Sequence, residues 1–305
     1  MLDQRPLVES TLRQQASVLA VINDYLALTK PPIIMLLLIT AAGGMFLASQ
    51  GVPPLPLMGL VWLGGALAAG GAGALNHYLD RDIDRLMTRT RHRPVADHRI
   101  SPARALIFGI VLNLLAFLVL AAWVNLLAAA LSLAATLFYI FVYTSWLKRT
   151  TPQNIVIGGA AGSIPPLVGW AAVTGGLDLP ALYLFAIIFF WTPPHFWALS
   201  LLIQRDYERA GIPMLPVVSG RDYTILNIFL YALLMVALTL AFVLTSAVGW
   251  VYLGSAVLLG GGFIGLAWRL LRRRTARDAR NLYLYSLVYL ALLFVAVMAD
   301  SAVRL

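Results

Sequence analysis

Apolar residues run along most of this chain in blocks of about twenty, with the polar residues gathered in the short stretches between blocks. A block of that length crosses a bilayer as a helix, which rises ~1.5 Å per residue and satisfies its own backbone groups. Nine blocks are long enough, at about 32 to 50, 56 to 76, 103 to 121, 124 to 145, 154 to 173, 180 to 200, 223 to 245, 248 to 270 and 282 to 299. The pattern predicts an all-α polytopic membrane protein. Its nine transmembrane helices occupy 31 to 300, after an N-terminal segment over 1 to 30 that is polar and then amphipathic, and before a short tail over 301 to 305. Composition agrees: 61% of the 305 residues are hydrophobic and only 11% charged, far from a soluble domain.

Nine crossings put the two termini on opposite sides, and the basic residues choose the side. With the N-terminus cytoplasmic, the N-terminal segment, the loops at about 77 to 102, 146 to 153, 201 to 222 and 271 to 281, and the adjoining span ends hold 21 of the 22 Lys and Arg. Only Arg304 falls outside. This is the positive-inside rule, so the formal charge of +9 reports topology and not nucleic acid. No positive region leads into a short cleavable apolar core, and Asp3 and Glu9 argue against an organellar transit peptide. A bacterial plasma (inner) membrane is the expected location. The absence of cysteine excludes disulfides, thiolate metal sites and c-type haem attachment.

The second block runs directly into NHYLDRDID, residues 76 to 84. On a continuing helix Asn76, Asp80 and Asp84 stand at i, i+4 and i+8, one face about 12 Å long, while Asp82 points elsewhere. Carboxylates one turn apart repel unless a cation lies between them, and an all-oxygen set suits magnesium, which completes its shell with substrate phosphates. A solvated helix end paired with Arg81, Arg85 and Arg89 is the alternative. The same loop carries RTRHRP, residues 89 to 94, whose Arg89 and Arg93 are candidate diphosphate contacts, although basic loops also serve topology and lipid contact. Tyr139, Phe141, Tyr143 and Trp146 cluster before Lys148 near the same face. They read as a dry wall or as an interfacial aromatic belt.

Further on, WTPPHFWALS runs into LLIQRDYERAGIP. Asp206 is the carboxylate of that loop placed close to the span. His195, between paired prolines and aromatic residues, is a polar ring at membrane depth and calls for a partner or a task. The pairs Pro165–Pro166 and Pro193–Pro194 are expected to break or kink their helices.

NHYLDRDID resembles the N-x-x-x-D-x-x-x-D first motif of the UbiA-type intramembrane prenyltransferases. LTKPPIIMLLLITAAGGMFLA, YTSWLKRTTPQNIVIGGAAGSIPPLVGWAAVTG and WTPPHFWALSLLIQRDYERAGIPMLPVV look like the branch of that superfamily that farnesylates haem. The likeness covers roughly residues 25 to 300. It implies a nine-helix bundle around a central cavity and a reaction in which farnesyl diphosphate, haem B and water give haem O and diphosphate.

By the same resemblance Asn76, Asp80, Asp84 and Asp206 are catalytic, with magnesium on Asp80, Asp84 and Asp206. Arg89, Arg93 and Lys148 meet the diphosphate, and His195 positions the haem or the quenching water. Haem B is a substrate and not a cofactor, and a haem A synthase or terminal oxidase assembly is the implied protein partner. His77 stands where many members have aspartate, and Asp206 lacks acidic partners at Leu202 and Ala210, so one or two magnesium ions both remain open. A quinone-prenylating relative should carry a fuller second acidic motif. A transporter should carry ionisable groups at mid-span, and a haem carrier should carry paired axial ligands.

Overall fold

The computed structural model describes residues 18–303, leaving Asp3, Arg5, Glu9, Arg13 and Arg304 outside the described residues. Among those described, nine helices are long and apolar enough to cross a membrane. They are Pro31–Ser49, Leu55–Leu79, Pro102–Trp123, Leu126–Thr150, Asn154–Thr174, Leu179–Leu202, Arg221–Thr245, Trp250–Arg273 and Ala276–Val303, the first to ninth spans. Each overlaps its predicted block. The ninth begins six residues earlier than expected because Asp278, which ended the apolar run, is buried with Arg269 and Thr275 as partners at 2.6 Å each.

Local sequence sets the helix starts. Pro102 occupies the first turn of the third span behind Ser101, whose hydroxyl accepts from the Arg104 N–H, and Asn125 caps the fourth by accepting from the Ala128 N–H at 2.8 Å; both satisfy groups that a helix start leaves unpaired. The eighth span is capped from elsewhere in the chain. Asp300, near the end of the ninth span, accepts from the N–H groups of Gly249 and Tyr252 at 2.6 and 3.1 Å.

The first, fifth, sixth and ninth spans touch in a closed ring. The second to fourth pack on one side of it and the seventh and eighth on the other. The fifth and sixth are the most enclosed, 61% and 56% buried against 28% for the third, fourth and eighth, which makes them the inner wall. Small residues allow the ring to close. A side chain at Gly44 would strike the Pro166 carbonyl, and one at Gly169 the Ala41 carbonyl, so the first and fifth spans cross with backbones in contact. Leu258, Leu244 and Trp250 are among the large apolar residues left exposed on the outside, as a lipid-facing surface requires.

Two expectations about helix breaks are corrected. The Asn76–Asp84 helix is not straight: the second span ends at Leu79, Asp80 turns to φ −88°, ψ 4°, and a short helix Arg81–Leu86 follows. The Asp80 and Asp84 N–H groups still bond back four residues, at 2.9 and 2.8 Å, while the Tyr78 and Leu79 carbonyls at the bend accept from the side chains of Arg81 and Arg149. Of the break or kink expected at Pro193 and Pro194, the break does not occur, since the sixth span runs through both; enclosure by neighbouring helices tolerates the missing donors. Pro165 and Pro166 do mark a break, between the helices Asn154–Gly162 and Pro165–Thr174.

Before the first span, a helix over Val18–Thr29 exposes Val18, Leu19, Val21, Ile22 and Leu26 while Leu28 packs against Ala74 and Ile100. Lys30 joins it to the first span in the left-handed region, at φ 58°.

Candidate active site

The bend at Asp80 is the hub of a buried polar network at one end of the bundle. Asp80 is fully enclosed. Its Oδ2 accepts from Lys148 Nζ at 2.6 Å and from Asn76 Nδ2 at 2.7 Å. The Asn76 carboxamide also donates to Thr144 Oγ1 at 3.3 Å, and its Oδ1 accepts from Lys30 Nζ at 2.6 Å. The second and fourth spans and the residue preceding the first one therefore meet around a single carboxylate. Asp84, one turn on, receives Arg93 at 2.9 Å on both oxygens. Asp206 pairs with Arg209 and accepts the Arg89 backbone N–H at 3.4 Å, which ties the loop after the sixth span to the loop after the second. Asp82, as its spacing predicts, lies outside the site: it is exposed and pairs with Arg149.

The fourth span owes its reach to an unusual stretch. Residues Phe138–Leu147 form a π-helix. A π-turn advances by roughly 80° per residue instead of 100°, so Tyr139, Tyr143, Thr144 and Lys148 fall on one face. A regular helix would place Tyr139 and Lys148 on opposite sides. Tyr139 and Tyr143 stack at 5.5 Å, and a side chain at Gly158 would strike the Tyr143 ring, so the glycine of the fifth span gives that ring its room.

Charge is distributed for a polyanion. Lys30, Arg93, Lys148 and Arg209 each pair with a residue of the acidic network, and Lys30, His77, Arg89 and Arg93 line a pocket of about 470 Å³ that opens at this end. The enclosure of Lys30 and the positive charge of Arg93 lower its pKa to about 7. Burial pulls the Asp206 carboxyl upward, but Arg209, the Arg89 N–H and Thr88 outweigh it and hold the group below its usual range. Burial raises Tyr207 to about 12, so it stays a neutral phenol.

Among the described residues no three His, Asp or Glu side chains gather closely enough to hold a metal by themselves. The expected triplet of Asp80, Asp84 and Asp206 is thus not brought into one cluster, because each carboxylate is drawn to a basic group. One oxygen is different: Asp80 Oδ1 is buried and has no hydrogen-bond partner among the described residues. A buried carboxylate oxygen with no hydrogen bond, whose ion pair is to Arg149 Nη2 at 3.9 Å, fits in an all-oxygen donor set a magnesium ion that takes one or two carboxylates from protein and the rest of its shell from phosphate and water.

His195 does not join this network. It lies in the sixth span, bonded to Ser286 of the ninth. Lys30 and Thr144 are network members that the sequence reading passed over. Lys30 had the form of a topology lysine before a span, and only the positive φ that turns it inward distinguishes it.

Residues 37–296 match the UbiA prenyltransferase family. A digeranylgeranylglyceryl phosphate synthase studied in membranes has the same fold, with a TM-score of 0.75 at 18% identity, covering 92% of this chain and 98% of its own. A UbiA homologue from Archaeoglobus fulgidus, solved bound to GPP and Mg2+, gives 0.66 at 17% identity, covering 90% and 99%. The chain belongs to the UbiA prenyltransferase family. Among its relatives it is 52% identical, over 98% of both chains, to the protoheme IX farnesyltransferase of Gloeobacter violaceus. It is also 52% identical to that of Roseiflexus sp. (strain RS-1), matching over 93% of this chain and spanning about half, 53%, of that relative's length.

Proposed function

We propose that this chain is a protoheme IX farnesyltransferase, which joins the farnesyl group of farnesyl diphosphate to a vinyl group of haem B, with addition of water, to give haem O and diphosphate. The observation that carries the reading is 52% identity along essentially the whole of a relative of that name, joined to a buried acid–base network suited to a metal-bound polyanion. Magnesium on Asp80, with Asp84 and Asp206, would supply charge to a leaving diphosphate. Each remaining role belongs to the side chains. Lys148 and Arg93 exchange carboxylate partners for phosphate oxygens as the bond to C1 of the farnesyl chain lengthens, the Arg89 guanidinium joins them, and the three stabilise the charge that develops there. Asn76 and Lys30 keep Asp80 aimed. Tyr139, Tyr143 and Tyr207 form a wall that excludes water from the allylic cation until the vinyl carbon attacks.

The same reading places the network end and the N-terminus in the cytoplasm, residues 31 to 300 as the catalytic domain, and the chain in a bacterial plasma membrane with haem A synthase or a terminal oxidase downstream. Purified protein supplied with haem B, farnesyl diphosphate and magnesium should release diphosphate and yield a haem heavier by a farnesyl group plus a hydroxyl. Diphosphate release without a modified haem rejects the haem acceptor, and no release rejects the transferase.

A further inference from the structure

The imidazole of His195 is held on three sides. Trp191, one turn earlier on the sixth span, stacks on it at 4.3 Å between centroids and 14° between planes, and Tyr283 of the ninth span lies at 5.0 Å and 26°. Nδ1 is 2.6 Å from Ser286 Oγ. That hydroxyl has one proton, which it donates to the Tyr283 carbonyl, an acceptor only, also at 2.6 Å. Towards His195 it must accept. The N–H of the neutral ring is therefore at Nδ1, and Nε2 keeps its lone pair. Ser286 is itself fixed, fully buried, with its carbonyl receiving Trp191 Nε1 at 2.8 Å.

Nε2 has no hydrogen bond among the described residues, and the ring is only half-buried. An imidazole whose N–H is pinned by a protein acceptor, with its far nitrogen left bare, is the arrangement that orients metal-ligating histidines; histidine is also a common axial ligand of haem iron. His195 precedes Asp206 by eleven residues on nearly continuous helix, which sets it deeper in the bundle by about 16 Å of helical rise. A haem that presents its vinyl edge towards the diphosphate end and extends into the bundle would bring its iron towards the level of His195.

Resting on the haem substrate proposed above, we infer that His195 Nε2 is an axial ligand of the substrate haem iron, and that Trp191, Tyr283 and Ser286 hold the ring for that bond. The bond is dative: Nε2 gives its lone pair to iron, no proton moves, and the iron keeps its oxidation state. The rival nitrogen is His77 Nδ1, buried and also without a partner among the described residues, but it sits beside Asp80 at the diphosphate end.

The test is haem B titrated into the purified parent, His195→Ala and His77→Ala proteins, followed by optical and electron paramagnetic resonance spectra. The parent and His77→Ala should show the same nitrogen-ligated haem. His195→Ala should lose that signature, weaken haem binding at least about tenfold and recover the signature with added imidazole. A parent-like spectrum from His195→Ala, even with turnover lost, overturns the inference, as does loss of the signature in His77→Ala alone. Nitrogen-ligated haem that the parent never farnesylates rejects the transferase reading and leaves the ligation standing.

Discussion

Lys30 occupies a left-handed backbone position between two helices and meets Asn76 at 2.6 Å, so its charge lies inside the network. The unfolded chain keeps the lysine proton up to about 10.5, whereas the folded protein releases it near 7. The unfolded state therefore binds more protons between those values, and the contribution of Lys30 to stability rises with pH across that window. Parent protein in detergent should gain melting temperature relative to Lys30→Met between about pH 7 and pH 9; parallel curves would contradict the assignment. Lys148→Met leaves the enclosed Asp80 carboxylate without its nearest cation. Removing one partner of a buried pair costs ~3 to 5 kcal/mol, and losing a charge that faces the leaving group should lower kcat by ~10² to 10³. A thermal melt and a diphosphate-release assay on the same preparation check both. Asn76, Asp80, Asp84 and Lys148 were legible because spacing and charge at a span end carry a signal. The pairing that leaves Asp80 Oδ1 without a hydrogen bond was not, since it depends on which basic side chain reaches which oxygen.

The element that most shapes the site is the π-helical stretch of the fourth span. Deleting Phe141, which is exposed and away from the network, should let that stretch rewind as a regular helix and carry Tyr139 away from the face of Lys148. Activity should fall while membrane insertion is kept; full activity would show that the π register is not needed. Close crossings are the second constraint. Gly169→Val drives a branched side chain towards the Ala41 carbonyl and should destabilise by ~1 to 3 kcal/mol as overpacking, seen as a lower melting temperature. Apolar block length revealed all nine spans. It could not reveal the π stretch, because ten apolar and aromatic residues have the same composition in either winding. Nor could it show that Pro193 and Pro194 stay within one helix, which rests on what surrounds them, or that Asp300 caps a helix some fifty residues away in sequence.

At the scale of the molecule, the central ring of four spans places the acidic network at one end and the His195 cluster deeper within. The distribution of basic residues is the ground for the proposed orientation. Because the chain has no cysteine, single cysteines at Asp97 and at Gly176 are each the sole thiol. An impermeant maleimide applied to intact cells should spare the first and label the second, and the reverse pattern would invert the proposed topology. The most direct test of the central claim is to express the parent and Asp80→Ala in cells lacking their own haem-farnesylating enzyme and to analyse the extracted haems by mass spectrometry. The parent should yield haem O and Asp80→Ala only haem B, with both proteins folded in the membrane. Haem B alone from the folded parent, or haem O from both, would contradict the account.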